Sequence, residues 1–140
     1  MAAQQFFYDR VNLYLNGVAY LPDGQIRSFG MQGIYNTKLQ QGMTPTGLAS
    51  GMTIGNISVT VNWTEFLPQQ SEYINLRTFC LANPDSTLTV VPISLATGVA
   101  IAPSFTIIKI QPTTLNLSAP SEGEVMVRDC SFIAISSSNL

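Results

Sequence analysis

The chain has 140 residues, of which 46% are hydrophobic and only 10% charged, against ~25% charged in an ordinary soluble domain. That length predicts a single domain, 1–140, able to bury roughly two-thirds of its unfolded surface without a metal or disulfide framework. A net charge of −2, with Arg10, Arg27, Lys38, Arg77, Lys109 and Arg128 scattered along the chain, supplies no basic stripe for nucleic-acid phosphates.

The opening MAAQQFFYDR has neither the basic region nor the apolar core of a secretory leader, so residues 1–8 read as an extended or frayed start. No apolar run approaches about 20 residues, so no membrane span is expected. In VNLYLNGVAY, Val11, Leu13 and Leu15 alternate with polar or amphipathic residues. Asn16-Gly17 then signals a hairpin, with Val18 and Tyr20 on the return strand. Pro22-Asp23-Gly24 predicts a second turn. The next strand, QIRSFGMQGIYNTKLQ, is interrupted by Gly30 and Gly33, which predicts a bulge or bend.

Residues 40–52 read as a long loop, with Gly42, Pro45, Gly47 and Gly51 marking it; Met43 and Met52 suit either local packing or an adaptable contact. From Leu39 to Thr64 no side chain is charged. NISVTVNWTEF then alternates cleanly. Ile57, Val59, Val61 and Trp63 form one face, and Ser58, Thr60, Asn62 and Thr64 the other. Trp63 continues the apolar face, so core packing is expected before a stacking role.

Pro68 ends that strand. In QQSEYINLRTFCLANPD, Ser71 is a candidate cap, Glu72 suits a helix start, and Tyr73, Leu76, Phe79 and Cys80 share a stripe; Asn83-Pro84-Asp85 stops the helix. Four further strand-like runs follow: TLTVVPISL, VAIAPSFTIIKI, TTLNLSA and VMVRDCSFIAIS. Pro92 and Pro103 should fall at edges or bulges, and residues 136–140 are expected extended or frayed. The pattern is mainly β, an antiparallel sandwich or half-barrel with one short flanking helix.

Catalytic groups are sparse. There is no histidine, hence no common general base, metal ligand or Ser-His-Asp arrangement. Cys80 and Cys130 lack metal-site spacing and, without an export signal, are expected as reduced, buried thiols. Glu122 and Glu124 flank Gly123 in a turn and read as solvated rather than as a glycosidase pair. No phosphate-cradling glycine motif occurs. No enzymatic role, cofactor or metal is expected.

The order of elements, with the strings LNGVAY and GNISVTV, resembles the tail tube proteins of tailed bacteriophages and the related Hcp-like tubes of bacterial injection machines, over roughly residues 9 to 135. In that family six subunits join sheet edge to sheet edge, the ring's inner wall is a continuous β-barrel, and a long loop reaches the next ring. The resemblance implies a virion tail component, close in size to the smaller tube proteins of contractile tails and assembled in the host bacterial cytoplasm. It implies stacked homo-hexamers, with sheath, tape-measure, baseplate and terminator proteins as partners. DNA would pass without specific binding, and no membrane is involved. The implied stacking loop is Gln41, Gly42, Met43, Thr44, Pro45, Thr46, Gly47, Leu48, Ala49, Ser50, Gly51 and Met52. Ser58, Thr60, Asn62 and Thr64 are the candidate lumen face. Two alternatives stand beside this reading. One is a ligand- or carbohydrate-binding sandwich of a phage baseplate, using an aromatic cluster from Tyr8, Tyr14, Tyr20, Tyr35 and Trp63. The other is a neck or tail-terminator protein that forms one ring and stops.

Overall fold

A computed structural model describes residues 4–21, 25–44, 47–119 and 121–140; within it, the side chains at 36–41 and 43–57 lie outside the described set. The predicted turn at Pro22-Asp23-Gly24 therefore also lies outside it. Nine strands and one helix follow in the order β1 (Tyr8–Leu15), β2 (Val18–Tyr20), β3 (Ile26–Thr44), β4 (Gly47–Phe66), α1 (Leu76–Ala82), β5 (Thr87–Ser94), β6 (Phe105–Ile108), β7 (Gln111–Ser118), β8 (Val127–Ala134) and β9 (Ser136–Ser137). They form two antiparallel sheets, β2-β1-β5-β6-β9 and β3-β4-β8-β7.

The first hairpin forms as its sequence predicts. Leu15 pairs with Val18, and Asn16 and Gly17 turn the chain at φ 50° and 81°. Both values are positive, the demand that Asn-Gly meets at least steric cost. Asn16 adds a tie to the neighbouring strand: its Oδ1 accepts from the Thr87 amide at 2.8 Å.

The sheets close over one core. Leu13, Leu15, Leu88, Val90 and Ile107 come from the first sheet, and Val59, Val61, Trp63, Cys130 and Phe132 from the second. Trp63 stacks on Phe132 at 4.7 Å between centroids and meets Tyr20 edge-on at 6.3 Å, so its place is the core. Pro92 pairs with Val11 of β1, while β6 reaches only Val90 on the other side of β5. The ladder lacks a strand where proline has no amide to give.

Three expectations need correction. The helix begins at Leu76, capped by Asn75, whose Oδ1 accepts from the Thr78 amide; Ser71 lies in a preceding turn and Tyr73 is exposed outside the helix. An Asn-capped start permits Leu76 and Cys80 to reach the core without threading Tyr73 beneath the sheet. Gly30 and Gly33 sit in regular pairing with Asn62 and Val59. The register shifts fall instead between Ile26 and Ser28 and between Tyr35 and Thr37. Gly33 has a different use: a Cβ there would stand 3.0 Å from the Leu140 side chain.

The long loop expected over 40–52 is a strand hairpin. Gln41 pairs with Ser50, Met43 with Leu48, and Thr44 with Gly47. Cross-strand amide pairing overrides the turn-forming tendency of its glycines; Pro45 and Thr46, at its tip, lie outside the described residues. Of the two alternatives for residues 136–140, extended or frayed, the structure has the extended one at Ser136–Ser137, and the segment is tied down. β9 pairs with β6, the Ser138 amide donates to Thr106 O, Asn139 Nδ2 donates to Ser104 O, and Tyr35 Oη donates to Leu140 O.

Candidate assembly site

Three features of the second sheet bear on function: its edges, its outer face and the β3–β4 hairpin. At the edges, β3 and β7 have no strand beyond them among the described residues. β3 is 19 residues long. An open edge of that length is a template for pairing with another chain. Each neighbouring pair in the sheet is antiparallel, so β3 and β7 run in opposite directions.

The outer face follows from period-two alternation. Glu65, Arg128 and the apolar residues point inward, so Ser58, Thr60, Asn62 and Thr64 of β4 lie outward beside Asp129, Ser131 and Ile133 of β8. Ser58 and Asn62 are exposed, Thr60 and Thr64 half-buried. Ser28, Gly30, Gln32 and Ile34 continue this face on β3, and Asn116 on β7. Thr64 Oγ1 donates to Asp129 Oδ1 at 2.8 Å. Asp129 is the acidic side chain on this face, and Arg27, the extra residue at the β3 register shift, lies 5.3 Å over the ring of Phe66, the next outward residue of β4 after Thr64. The face holds a concave groove of about 360 Å3 bordered by Ser28, Gly30, Asn62, Thr64, Asp129 and Ser131. The candidate lumen residues thus share one surface. Asp129 and Ser131 were missed by sequence reasoning, although the alternation in VRDCSFIA carries the signal.

The hairpin outgrows the sheet. β8 pairs with β4 only from Val59 to Phe66, whereas β4 starts at Gly47. From Tyr35 to Thr44, and back from Gly47 to Ile57, β3 and β4 pair only with each other among the described residues, as a two-stranded ribbon roughly 30 Å long at ~3.4 Å per residue. A two-stranded ribbon alone is at best marginally stable in water. The register shift at its root gives β4 an extra residue around Gly55-Asn56, a bulge that bends the ribbon relative to the sheet. The candidate stacking residues from Gln41 to Met52, with the exception of Pro45 and Thr46, therefore lie on strands.

Inside, an ion pair locks the sandwich. Arg128 Nε donates to Glu65 Oε1 at 2.6 Å, Arg128 Nη2 donates to Tyr20 Oη at 2.8 Å, and Tyr20 Oη donates to Glu65 Oε2 at 2.7 Å. Glu65 is 0% exposed and Arg128 5%. Burial opposes the charge on Arg128, but Tyr20 and Glu65 outweigh it and hold its pKa above the ordinary value. Burial, reinforced by Glu65, raises the Tyr20 phenol, and burial likewise raises the Cys130 thiol, which donates to Glu65 Oε1. Cys80 and Cys130 are both buried and unbonded. Arg128 also donates to Ile74 O and lies 4.9 Å over the Tyr73 ring, fixing the approach to α1. This cluster has every polar partner it needs, so its role is to hold the two sheets and the helix in register. Among the described residues no His, Cys, Asp and Glu group could hold a metal ion, and no helix is long and apolar enough to cross a membrane.

No protein-family profile and no curated protein matches the chain. Solved structures do. The chain is similar to the PVC sheath/tube terminator of an extracellular contractile injection system in its extended state, at TM-score 0.67 and 12% identity over 98% of this chain and 97% of that one. It is similar to the tube-terminating cap of the anti-feeding prophage, at TM-score 0.67 and 14% identity over 99% and 93%. Hcp1 from Flavobacterium johnsoniae matches at TM-score 0.52 and 12% identity over 94% of each chain. At such identities the likeness establishes the fold: that of contractile-injection tube, terminator and Hcp-like proteins.

Proposed function

We propose that the chain is a structural, non-catalytic subunit of the tube of a contractile phage tail or related injection apparatus. Six copies close into a ring, and rings stack into a conduit through which DNA passes. The observation that carries this reading is the second sheet, open at both edges with β3 and β7 antiparallel to each other. Rotation places β7 of one copy beside β3 of the next in antiparallel register, so repetition generates a closed barrel and removes every edge of that sheet. With four strands from each of six copies, spaced ~4.8 Å and tilted ~40°, the barrel is about 48 Å across. Barrels of 16–18 strands already leave an aqueous channel.

The concave face then lines the lumen. It carries Ser58, Thr60, Asn62 and Thr64 with the carboxylate of Asp129. Its one cation among the described residues, Arg27, is held over the Phe66 ring at the end of the face, which is too little positive charge to grip a passing phosphate backbone. The ribbon spanning Gln41 to Met52 contacts the adjacent ring. Sheath, tape-measure, baseplate and terminator proteins are its partners, and the virion tail, assembled in the host bacterial cytoplasm, its place.

The likeness to the terminator and cap proteins favours a second reading, in which one ring caps a tube and stops. The saccharide-binding alternative is weaker, because Tyr20 and Trp63 are buried in the core. Sedimentation with negative-stain electron microscopy of the purified chain separates these outcomes. The tube reading predicts rings and long polymers, the terminator reading predicts single rings, and a monomer at millimolar concentration contradicts both.

A further inference from the structure

β4 runs from the ribbon into the sheet and ends at Phe66, which pairs with Val127, while the Leu67 amide donates to Met126 O. The β7–β8 hairpin therefore stands at the end of the sheet opposite the ribbon. That end is apolar and uncovered. Leu117 and Val125 are each 56% exposed and Met126 37%, beside a cavity of about 230 Å3 whose walls include Leu67, Tyr73, Leu115 and Leu117. Its only charges between Gln111 and Val127 are Glu122 and Glu124, both exposed.

The ribbon has the complementary character. Between Asn36 and Ile57 its single charged residue is Lys38, at the register position opposite Thr53; the rest is neutral and includes Leu39, Met43, Leu48 and Met52. One cationic, otherwise neutral element projects from one end of the sheet; at the other lies an apolar hairpin whose own charges are both acidic, with Arg27 held over Phe66 and Arg128 paired to Glu65 beside it. We infer that the β7–β8 hairpin end, with Leu117, Glu122, Glu124, Val125 and Met126, is the receiving surface for the ribbon of a second copy. The inference rests on the stacking role proposed above. The contact is head-to-tail and does not close on itself, so it propagates as a stack.

Its size sets the order of events. One face of a ribbon roughly 30 Å long and two strands wide covers about 300 Å2, well below the ~800 Å2 per partner of a stable pair. A single such contact does not hold two free subunits together. Six linked in one ring act with high effective concentration, so stacking follows ring closure.

A charge exchange tests this. In Glu122→Lys with Glu124→Lys, rings persist and mean stack length falls about ten-fold; adding Lys38→Glu to that variant restores stacking, as read by electron microscopy and sedimentation on protein shown to be folded by circular dichroism. Undiminished stacks in the double variant, failure of the third substitution to rescue, loss of rings as well as stacks, or a wild-type chain that stops at single rings each overturn the assignment while leaving ring closure standing. A wild-type chain that forms neither rings nor stacks contradicts the proposed function itself, which separates the two failures.

Discussion

Glu65 shows how one residue's role changes with its partners. By alternation it belongs to the face of Val59, Val61 and Trp63, and a carboxylate there is costly unless paired. Arg128, directly opposite it in the ladder, and Tyr20, from the other sheet, supply the pairing. Removing one partner should therefore hurt far more than replacing both. Arg128→Met should lower unfolding free energy by about 3–5 kcal/mol, and Glu65→Leu combined with Arg128→Met by clearly less, measured by chemical denaturation. A loss in the double variant equal to the sum of the two single-variant losses would show that the charges are not coupled. This cluster was not legible in the sequence, because two charged residues far apart in the chain show no sign of facing each other. Trp63 was legible, because Ile57, Val59 and Val61 precede it on the same period-two face.

The β3–β4 ribbon carries the corresponding lesson among elements. Among the described residues its outer part pairs with no third strand, so the two sheets do not rest on it. A deletion of Thr44 to Ser50 should leave the unfolding free energy of the isolated chain within about 0.5 kcal/mol of wild type and block stacking. Tubes of unchanged length would remove the ribbon from the inter-ring contact. The first hairpin, the β4 alternation and the Asn83 helix stop could be read from local chemistry, because each rests on a turn residue or a strict period. The ribbon could not. Gly42, Gly47 and Gly51 signal loop locally, and only the long run of cross-strand pairs makes them strand. The helix start was misplaced for a related reason: Ser71 and Asn75 are both competent caps, and burial of Leu76 and Cys80 selects the second.

Across the whole molecule, the low charge density acquires a physical reading. A ring repeats every surface charge at each rotation, so an ionised residue near a junction meets its own copies. The neutral run from Leu39 to Thr64 covers the ribbon beyond Lys38 and the β4 strand of the concave face. The first sheet is partly sealed within the chain, since β9 covers part of β6, whereas β3 and β7 of the second have no strand beyond them among the described residues. The account turns on that asymmetry. Amide hydrogen exchange on dissociated and assembled protein measures it most directly. The account predicts that amides of β3 between Ile26 and Tyr35, and of β7, exchange fast in the dissociated chain and slow by at least about a hundred-fold on ring formation, with β1 and β5 unchanged. Equal protection of those edges before and after assembly would contradict it.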